Sequence, residues 1–344
     1  MNIKGKLVLF LMCGLLAPLA ACAPASVTPL PATATQLITT TAPTELLPTA
    51  TPALPVSPAL PLPAYPTPLV NSPSASVGCV TPAPSVRFAV IGDFGGGNQE
   101  EADVAGLVHS WNPDIVLTVG DNNYPDGEAS TIDANIGQYY HDFIFPYTGT
   151  FGTGAAENRF FPTLGNHDWH IADAQPYLNY FDLPGNERYY DFVRGPVHFF
   201  ALDSDENEPD GVGSSSVQAD WLRQGLASST STWNIVYFHY PPYSSGMHGS
   251  TTWMRWTFAA WGADAVLTGH DHTYERLMVD GIPYFVNGVG GYWIYNFVDI
   301  LPESKFRYNA NYGAMLGSAS ERELRLEFTS RTGELIDQYE IRKP

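Results

Sequence analysis

Short apolar runs, each closed by glycine or a polar residue, recur along the chain from residue 86 onward. Runs of this length between turn residues read as buried strands. They fall at residues 87–91, 115–119, 160–164, 197–202, 235–238 and 265–267. Two stretches show helical spacing instead. In the first, Asn98 is the predicted cap, and Val104, Leu107, Val108 and Trp111 share one face. The second follows Ser215, with Gln218 three positions on, as in a capping box, and Trp221, Leu222 and Leu226 as its apolar stripe. After His272 the pattern becomes strand-like through 284–289, 323–328 and 335–341. Strands that alternate with helices and then give way to strands predict an α/β domain of stacked sheets.

Upstream the pattern is different. Residues 23–85 are dominated by Pro, Thr, Ala and Ser, and Glu45 is the sole charge between Lys6 and Arg87. Such a segment buries too little apolar surface to offset its conformational entropy, and its prolines favour extended geometry. It reads as a tether. Ahead of it, Lys4 and Lys6 precede an apolar run at 7–19, shorter than a membrane-spanning helix requires. Small residues then lead to Cys22 in Leu19-Ala20-Ala21-Cys22. This resembles a bacterial lipoprotein signal. The resemblance implies cleavage after residue 21, acylation of Cys22, and an exported protein anchored by lipid in the cell envelope or at the cell surface. The expected organisation is a signal at 1–21, a lipidated tether at 22–85 and a catalytic domain at 86–344.

Composition narrows the chemistry. The formal charge of −19 argues against nucleic acid as a partner. It leaves phosphate esters open, because a metal centre reverses the field locally. Of three cysteines, Cys13 lies in the signal, Cys22 would be lipidated and Cys79 sits in the tether. With no later cysteine, thiol catalysis and a Cys-rich zinc site are excluded.

The ends of the predicted strands carry the chemistry. Asp93 follows the first, in Ile91-Gly92-Asp93-Phe94-Gly95, and Asp121 the second, in Val119-Gly120-Asp121-Asn122-Asn123-Tyr124. Asn166 and His167 follow the third, in Leu164-Gly165-Asn166-His167-Asp168. His239 closes another strand, and His270 and His272 follow one more, in Gly269-His270-Asp271-His272. In open α/β sheets ligands bind at the carboxyl ends of strands. An Asp after a strand is commonly just a turn or helix cap. Five strand ends bearing ligand-type residues in this order point to one metal-binding crevice.

These ordered motifs resemble the calcineurin-like metallophosphoesterase superfamily, from residue 86 to about residue 276. One departure indicates the subfamily. The first motif reads Asp93-Phe94-Gly95, without the usual histidine, and the second carries Tyr124 as Gly-Asp-x-x-Tyr. Both changes are similar to purple acid phosphatases. The resemblance implies an αββα sandwich of two stacked mixed sheets flanked by helices, and hydrolysis of phosphate monoesters at a dinuclear metal centre. Site one would be Asp93, Asp121, Tyr124 and His272, whose hard anionic oxygens suit Fe(III). Site two would share Asp121 with Asn166, His239 and His270, suiting divalent Zn, Fe or Mn. The two metals would lower the pKa of a bound water to provide hydroxide. By the same resemblance Asn166, His167 and His248 contact the phosphate, with His167 and His248 in catalytic, non-metal roles. Asp168 replaces the glutamate often found in Gly-Asn-His-Glu. Arg276 either reaches phosphate or pairs with a carboxylate outside the site. The competing readings are a phosphodiesterase of the same superfamily and a non-catalytic metal-binding lipoprotein. A metallo-β-lactamase type is disfavoured, because Thr273-Tyr274 follows His272 where that family has Asp-His.

Overall fold

Among the described residues, 85–344 of this computed structural model, thirteen strands form two mixed sheets. The signal segment, Cys22 and the tether up to residue 84 lie outside the described residues. The first sheet runs in the order β13 (Leu335–Arg342), β12 (Glu323–Ser330), β11 (Gly313–Ala319), β1 (Val86–Ile91), β2 (Ile115–Thr118) and β3 (Phe160–Pro162). The second is β10 (Ser304–Tyr308), β8 (Tyr274–Val279), β9 (Ile282–Asn287), β7 (Ala265–Thr268), β6 (Trp233–Tyr237), β5 (Val197–Ala201) and β4 (Tyr190–Arg194). β1, β2 and β3 are parallel, as are β5, β6, β7 and β9, and the remaining pairs are antiparallel.

Side chains alternate between the two faces of a strand, and β5 shows the consequence. Phe199 meets Phe88 of β1 edge-on, with ring centroids 5.1 Å apart, in the core between the sheets. Its neighbour Phe200 turns the other way, into a second cluster with Leu222 and Leu226 of the helix Val217–Ser228. The helix Gln99–Trp111 packs against β11 of the first sheet. Two stacked sheets between helices are the α/β sandwich expected.

Local details differ from the sequence reading. The second helix is capped by Ser216, whose hydroxyl accepts from the Ala219 amide at 3.1 Å. In a run of serines only the one placed three residues before a free amide caps it. Gln218 closes no capping box. It is buried, and its amide group bonds the backbone N and O of Asp203, each at 2.8 Å. In the first helix Asn98 does cap Glu101, but the buried stripe is Glu101, Val104, Ala105 and Val108, with Leu107 and Trp111 half-buried. β11 escaped the hydrophobic pattern because its sequence, GAMLGSA, is rich in small residues. Packing explains one of them: a Cβ on Gly317, opposite Phe88 in register, would collide with that ring.

Candidate metal centre

Five loops leaving the carboxyl ends of β1, β2, β3, β6 and β7 meet in one place, two sheets contributing to a single crevice. Asp93, Asp121 and His270 each stand directly after a glycine in such a loop, with φ of 55°, 53° and 70°. This left-handed conformation costs a non-glycine residue about 1–3 kcal/mol and persists only where the surroundings enforce it. The glycine ahead of the ligand is demanded by close approach. A Cβ on Gly120 would come within 2.6 Å of His239 Nδ1, and one on Gly269 within 2.5 Å of Asp93 Oδ2.

The donors fall into two groups joined by Asp121. On one side the Tyr124 hydroxyl lies 2.9 Å from Asp121 Oδ2, 3.4 Å from Asp93 Oδ1 and 3.2 Å from His272 Nε2. His272 Nε2 is itself 3.3 Å from Asp93 Oδ1. On the other side His239 Nε2 is 3.4 Å from Asp121 Oδ1 and 3.1 Å from Asn166 Oδ1. The His270 ring stands 5.0 Å from that of His239. The two oxygens of Asp121 thus face different donor groups, as a bridging carboxylate requires. His270 and His272 sit in a bend rather than an extended strand, and each faces one of the groups.

This donor set fits a pair of cations. Asp93 and Asp121 are fully buried carboxylates placed side by side, a costly arrangement unless positive charge lies between them. Burial alone would raise Asp121, but the adjacent His239 and His167 hold it well below the usual carboxylate range. Burial likewise opposes a charged His239, yet Asp121 and Asp93 push the imidazole up to about 10. Tyr124 is held well above its ordinary value by burial and by the same two carboxylates. His270 is held well below its own by burial and by His239, so the ring stays neutral, as a metal donor must be. A field strong enough to draw protons onto His239 and Tyr124 is equally a field for metal ions. The oxygen-rich group suits a hard, highly charged ion and the imidazole and amide group a divalent one.

His167 and His248 flank these donors without joining either group. Asn166 opens a short helix, Asn166–Trp169, so His167 diverges from it by the turn of a helix rather than the alternation of a strand. The His167 amide donates to Asp121 Oδ1 at 2.9 Å. Its ring lies over Tyr124 with centroids 4.4 Å apart, Nδ1 meets the Pro125 carbonyl, and Nε2 is 3.9 Å from Asp121 Oδ2. His248 is exposed, its ring 4.4 Å from His270, and its amide donates to Asp271 Oδ1 at 2.8 Å. Arg276 does not reach the crevice. It pairs with Asp337 at 2.7 Å, the second of its two expected roles.

Other residues acquire roles from the fold alone. Asp168 is buried and accepts from Gly165 N (2.9 Å) and Asn122 Nδ2 (2.8 Å), tying the Asn166 loop to the Asp121 loop. Burial and nearby Asp121 raise its carboxyl to about 7. Glu275 accepts from the amide and hydroxyl of Ser245 and steadies the loop bearing His248. The Tyr292 ring covers Tyr124, and the Tyr295 ring covers His272 at 4.3 Å. The sequence hint for both was the aromatic run behind Gly290-Gly291. Gly95 stands where a histidine is commoner in the resembled superfamily. A Cβ there would run into the Asn122 carbonyl, so the position admits no side chain and the tyrosine stands in the donor group instead.

Residues 86–274 match the calcineurin-like phosphoesterase family. The chain belongs to that family. Among its relatives is tartrate-resistant acid phosphatase type 5 of Rattus norvegicus, 27% identical over 255 residues that cover 62% of this chain and 75% of the relative. Purple acid phosphatase 15 of Arabidopsis thaliana is 27% identical over 261 residues, 64% of this chain and 46% of the plant protein. Among solved structures, the yellow lupin purple acid phosphatase PPD1 has a TM-score of 0.61 at 19% identity, covering 76% of this chain and 55% of that one. GAP50, the anchor in the inner membrane complex of Plasmodium, has a TM-score of 0.60 at 17% identity, covering 76% and 90%. Those two structures bear on the fold alone. The sequence relatives are named acid phosphatases, and this chain, as a calcineurin-like phosphoesterase with such relatives, is a hydrolase.

Proposed function

We propose that the chain hydrolyses phosphate monoesters at a dinuclear centre, with Asp93, Asp121, Tyr124 and His272 holding Fe(III) and Asp121, Asn166, His239 and His270 holding a divalent Zn, Fe or Mn. The observation that carries this reading is the Tyr124 hydroxyl, within 3.4 Å of Asp93, Asp121 and His272 at once. Bound metals supply Lewis acidity and neutralise charge on the phosphoryl oxygens. The residues of the chain do the rest. Asn166 and the imidazoles of His167 and His248 orient the phosphoryl group, which gives a positioned ester for in-line attack by water. As water oxygen bonds to phosphorus, the bond to the ester oxygen breaks. A protonated His167 gives its Nε2 proton to the departing oxygen while the attacking water releases one proton to solvent, which later recharges the imidazole, so alcohol and inorganic phosphate leave. Its Nδ1, turned to the Pro125 carbonyl, fixes the ring so that Nε2 faces the crevice.

The N-terminal segment supports export and retention at the cell surface through acylated Cys22, with the 22–85 tether holding the hydrolase away from the lipid. The function is tested by metal analysis of purified protein together with parallel assays of a phosphate monoester and a phosphate diester. Two metals per chain, at least one of them iron, and a kcat/KM at least tenfold higher on the monoester support the reading. Preference for the diester would move it to the phosphodiesterases of the family, and metal binding without turnover would make it a binding protein.

A further inference from the structure

Beside the donor groups lies a cavity of ≈ 490 Å³ whose lining includes Asn166, Trp169, Tyr240, Asp205 and Glu206. Asn166 belongs to both the cavity and the proposed metal site, so an ester held at the metals has this space within reach for its alcohol. Neither lysine nor arginine lines it, and the one basic side chain that does, His170, is already paired with Asp126 at 3.1 Å. Asp205 is only 6% exposed, an unusual place for a carboxylate. Its Oδ1 accepts from Asn207 N and Nδ2 at 2.9 and 2.7 Å, while no hydrogen bond from the described residues reaches Oδ2. Glu206 is exposed at the same wall.

The walls are held rigidly. Trp169 donates its indole N–H to Asp203 Oδ2 at 3.0 Å, and the Tyr240 amide donates to Ser204 Oγ at 2.9 Å. Trp253 meets the Tyr240 ring at 5.8 Å and donates to the Ser204 carbonyl at 3.2 Å. Two carboxylates lining one cavity with a tryptophan and a tyrosine are the chemistry that receives an ammonium group. The same carboxylates repel a leaving group that carries further phosphates.

We propose that this cavity takes the alcohol of the substrate and selects phosphate monoesters of ammonium-bearing alcohols, through Asp205 and Glu206 with Trp169 and Tyr240. The proposal rests on the monoesterase reading above. It is tested on the metal-loaded full chain with phosphocholine and its neutral isostere, 3,3-dimethylbutyl phosphate, which share a shape and differ in one charge. The expected kcat/KM ratio favours phosphocholine by about tenfold or more, roughly the ~1.4 kcal/mol that a tenfold preference represents. Glu206→Gln lowers that ratio at least threefold, and Asp205→Asn lowers it further. Glu334→Gln, at the exposed β12–β13 turn, leaves it unchanged and controls for loss of charge in general. Because Glu206 is exposed, its variant does not depend on repacking a buried site. A ratio near one in the native chain, or a ratio unmoved by Glu206→Gln, overturns the proposal while turnover of the neutral ester keeps the monoesterase reading. Failure to hydrolyse either ester or an aryl phosphate overturns both.

Discussion

The ring of Tyr292 lies 3.7 Å from that of Tyr124 and 11° from parallel to it, so the phenol among the metal-donor residues is covered by a second aromatic plane. The Tyr292 amide also donates to the Asp93 carbonyl at 3.0 Å, binding the loop after β9 to the first ligand loop. Stacked pairs of this kind contribute about 0.5–1.5 kcal/mol beyond the area they bury. The fold itself therefore holds the phenol in place.

From this comes an optical prediction. Phenolate on Fe(III) absorbs in the visible, which zinc and magnesium do not cause, so iron-loaded protein should be pink or purple. Tyr124→Phe keeps the stack on Tyr292 and should keep the fold, while the visible band disappears. Absorption spectra of the two proteins at equal iron content check this. A Tyr124→Phe spectrum like that of the native chain would remove tyrosine from the ligand set.

Catalysis and metal binding should separate by residue. His167 lies beside the donors but outside both groups, so His167→Ala should retain both metals and lose ~10²–10⁴-fold in monoester turnover, the usual contribution of a general acid or base. Asp121 faces both groups, so Asp121→Asn should lose metal from both. Metal content measured alongside kcat distinguishes the two. The opposite pattern would exchange their roles.

Glu101 offers a pH prediction for stability. It is fully buried in the first turn of its helix, accepts from the Gly97 amide at 2.7 Å through Oε2, and has no partner among the described residues for Oε1. Burial holds its carboxyl well above the ordinary 4.5, so the folded chain keeps a proton that the unfolded chain releases. The folded pKa is raised, and its stabilising effect is complete below about 4.5 and declines as pH climbs toward the folded value. The slope is ~1.4 kcal/mol per pH unit in that window. Glu101→Gln can still accept from Gly97 and carries no such slope. Its melting temperature relative to the native chain should therefore rise between pH 5 and pH 7, by roughly 2–4 °C for each kcal/mol. Parallel melting curves across pH, with no gain for the glutamine variant, would show that Glu101 is charged in the fold.

The N-terminus yields a test in cells. Cys22→Ser should free the protein from the membrane fraction or stall its processing, since acyl chains provide the membrane affinity. Fractionation and the mass of the mature N-terminus report the outcome. A processed serine variant that stays with the membrane would contradict the anchor.

Sequence alone determined the residues at the strand ends. Asp93, Asp121, Asn166, His239, His270 and His272 each follow a short apolar run, and a parallel strand obliges its carboxyl end to be a loop where side chains gather. Gly92, Gly120 and Gly269 marked the same loops, because no side chain fits where two ligand loops touch. Small-residue strands were less legible. β11 has no alternation to read, since the bulk that fills its face comes from Phe88 across the ladder.

Only the tertiary structure decided how the residues divide and what supports them. That Asp121 turns one oxygen to Tyr124 and the other to His239 is a relation between β2, β6 and the loops between them, which spacing along the chain does not encode. The same holds for Tyr292 on Tyr124, Asp168 between two ligand loops, and Asp205 beside Asn166 in one cavity. Their separations in sequence run to 168, 46 and 39 residues, as the numbering shows. Periodicity reports which face of an element is buried, whereas contacts between elements depend on how two sheets stack, and that is settled by packing of the whole core.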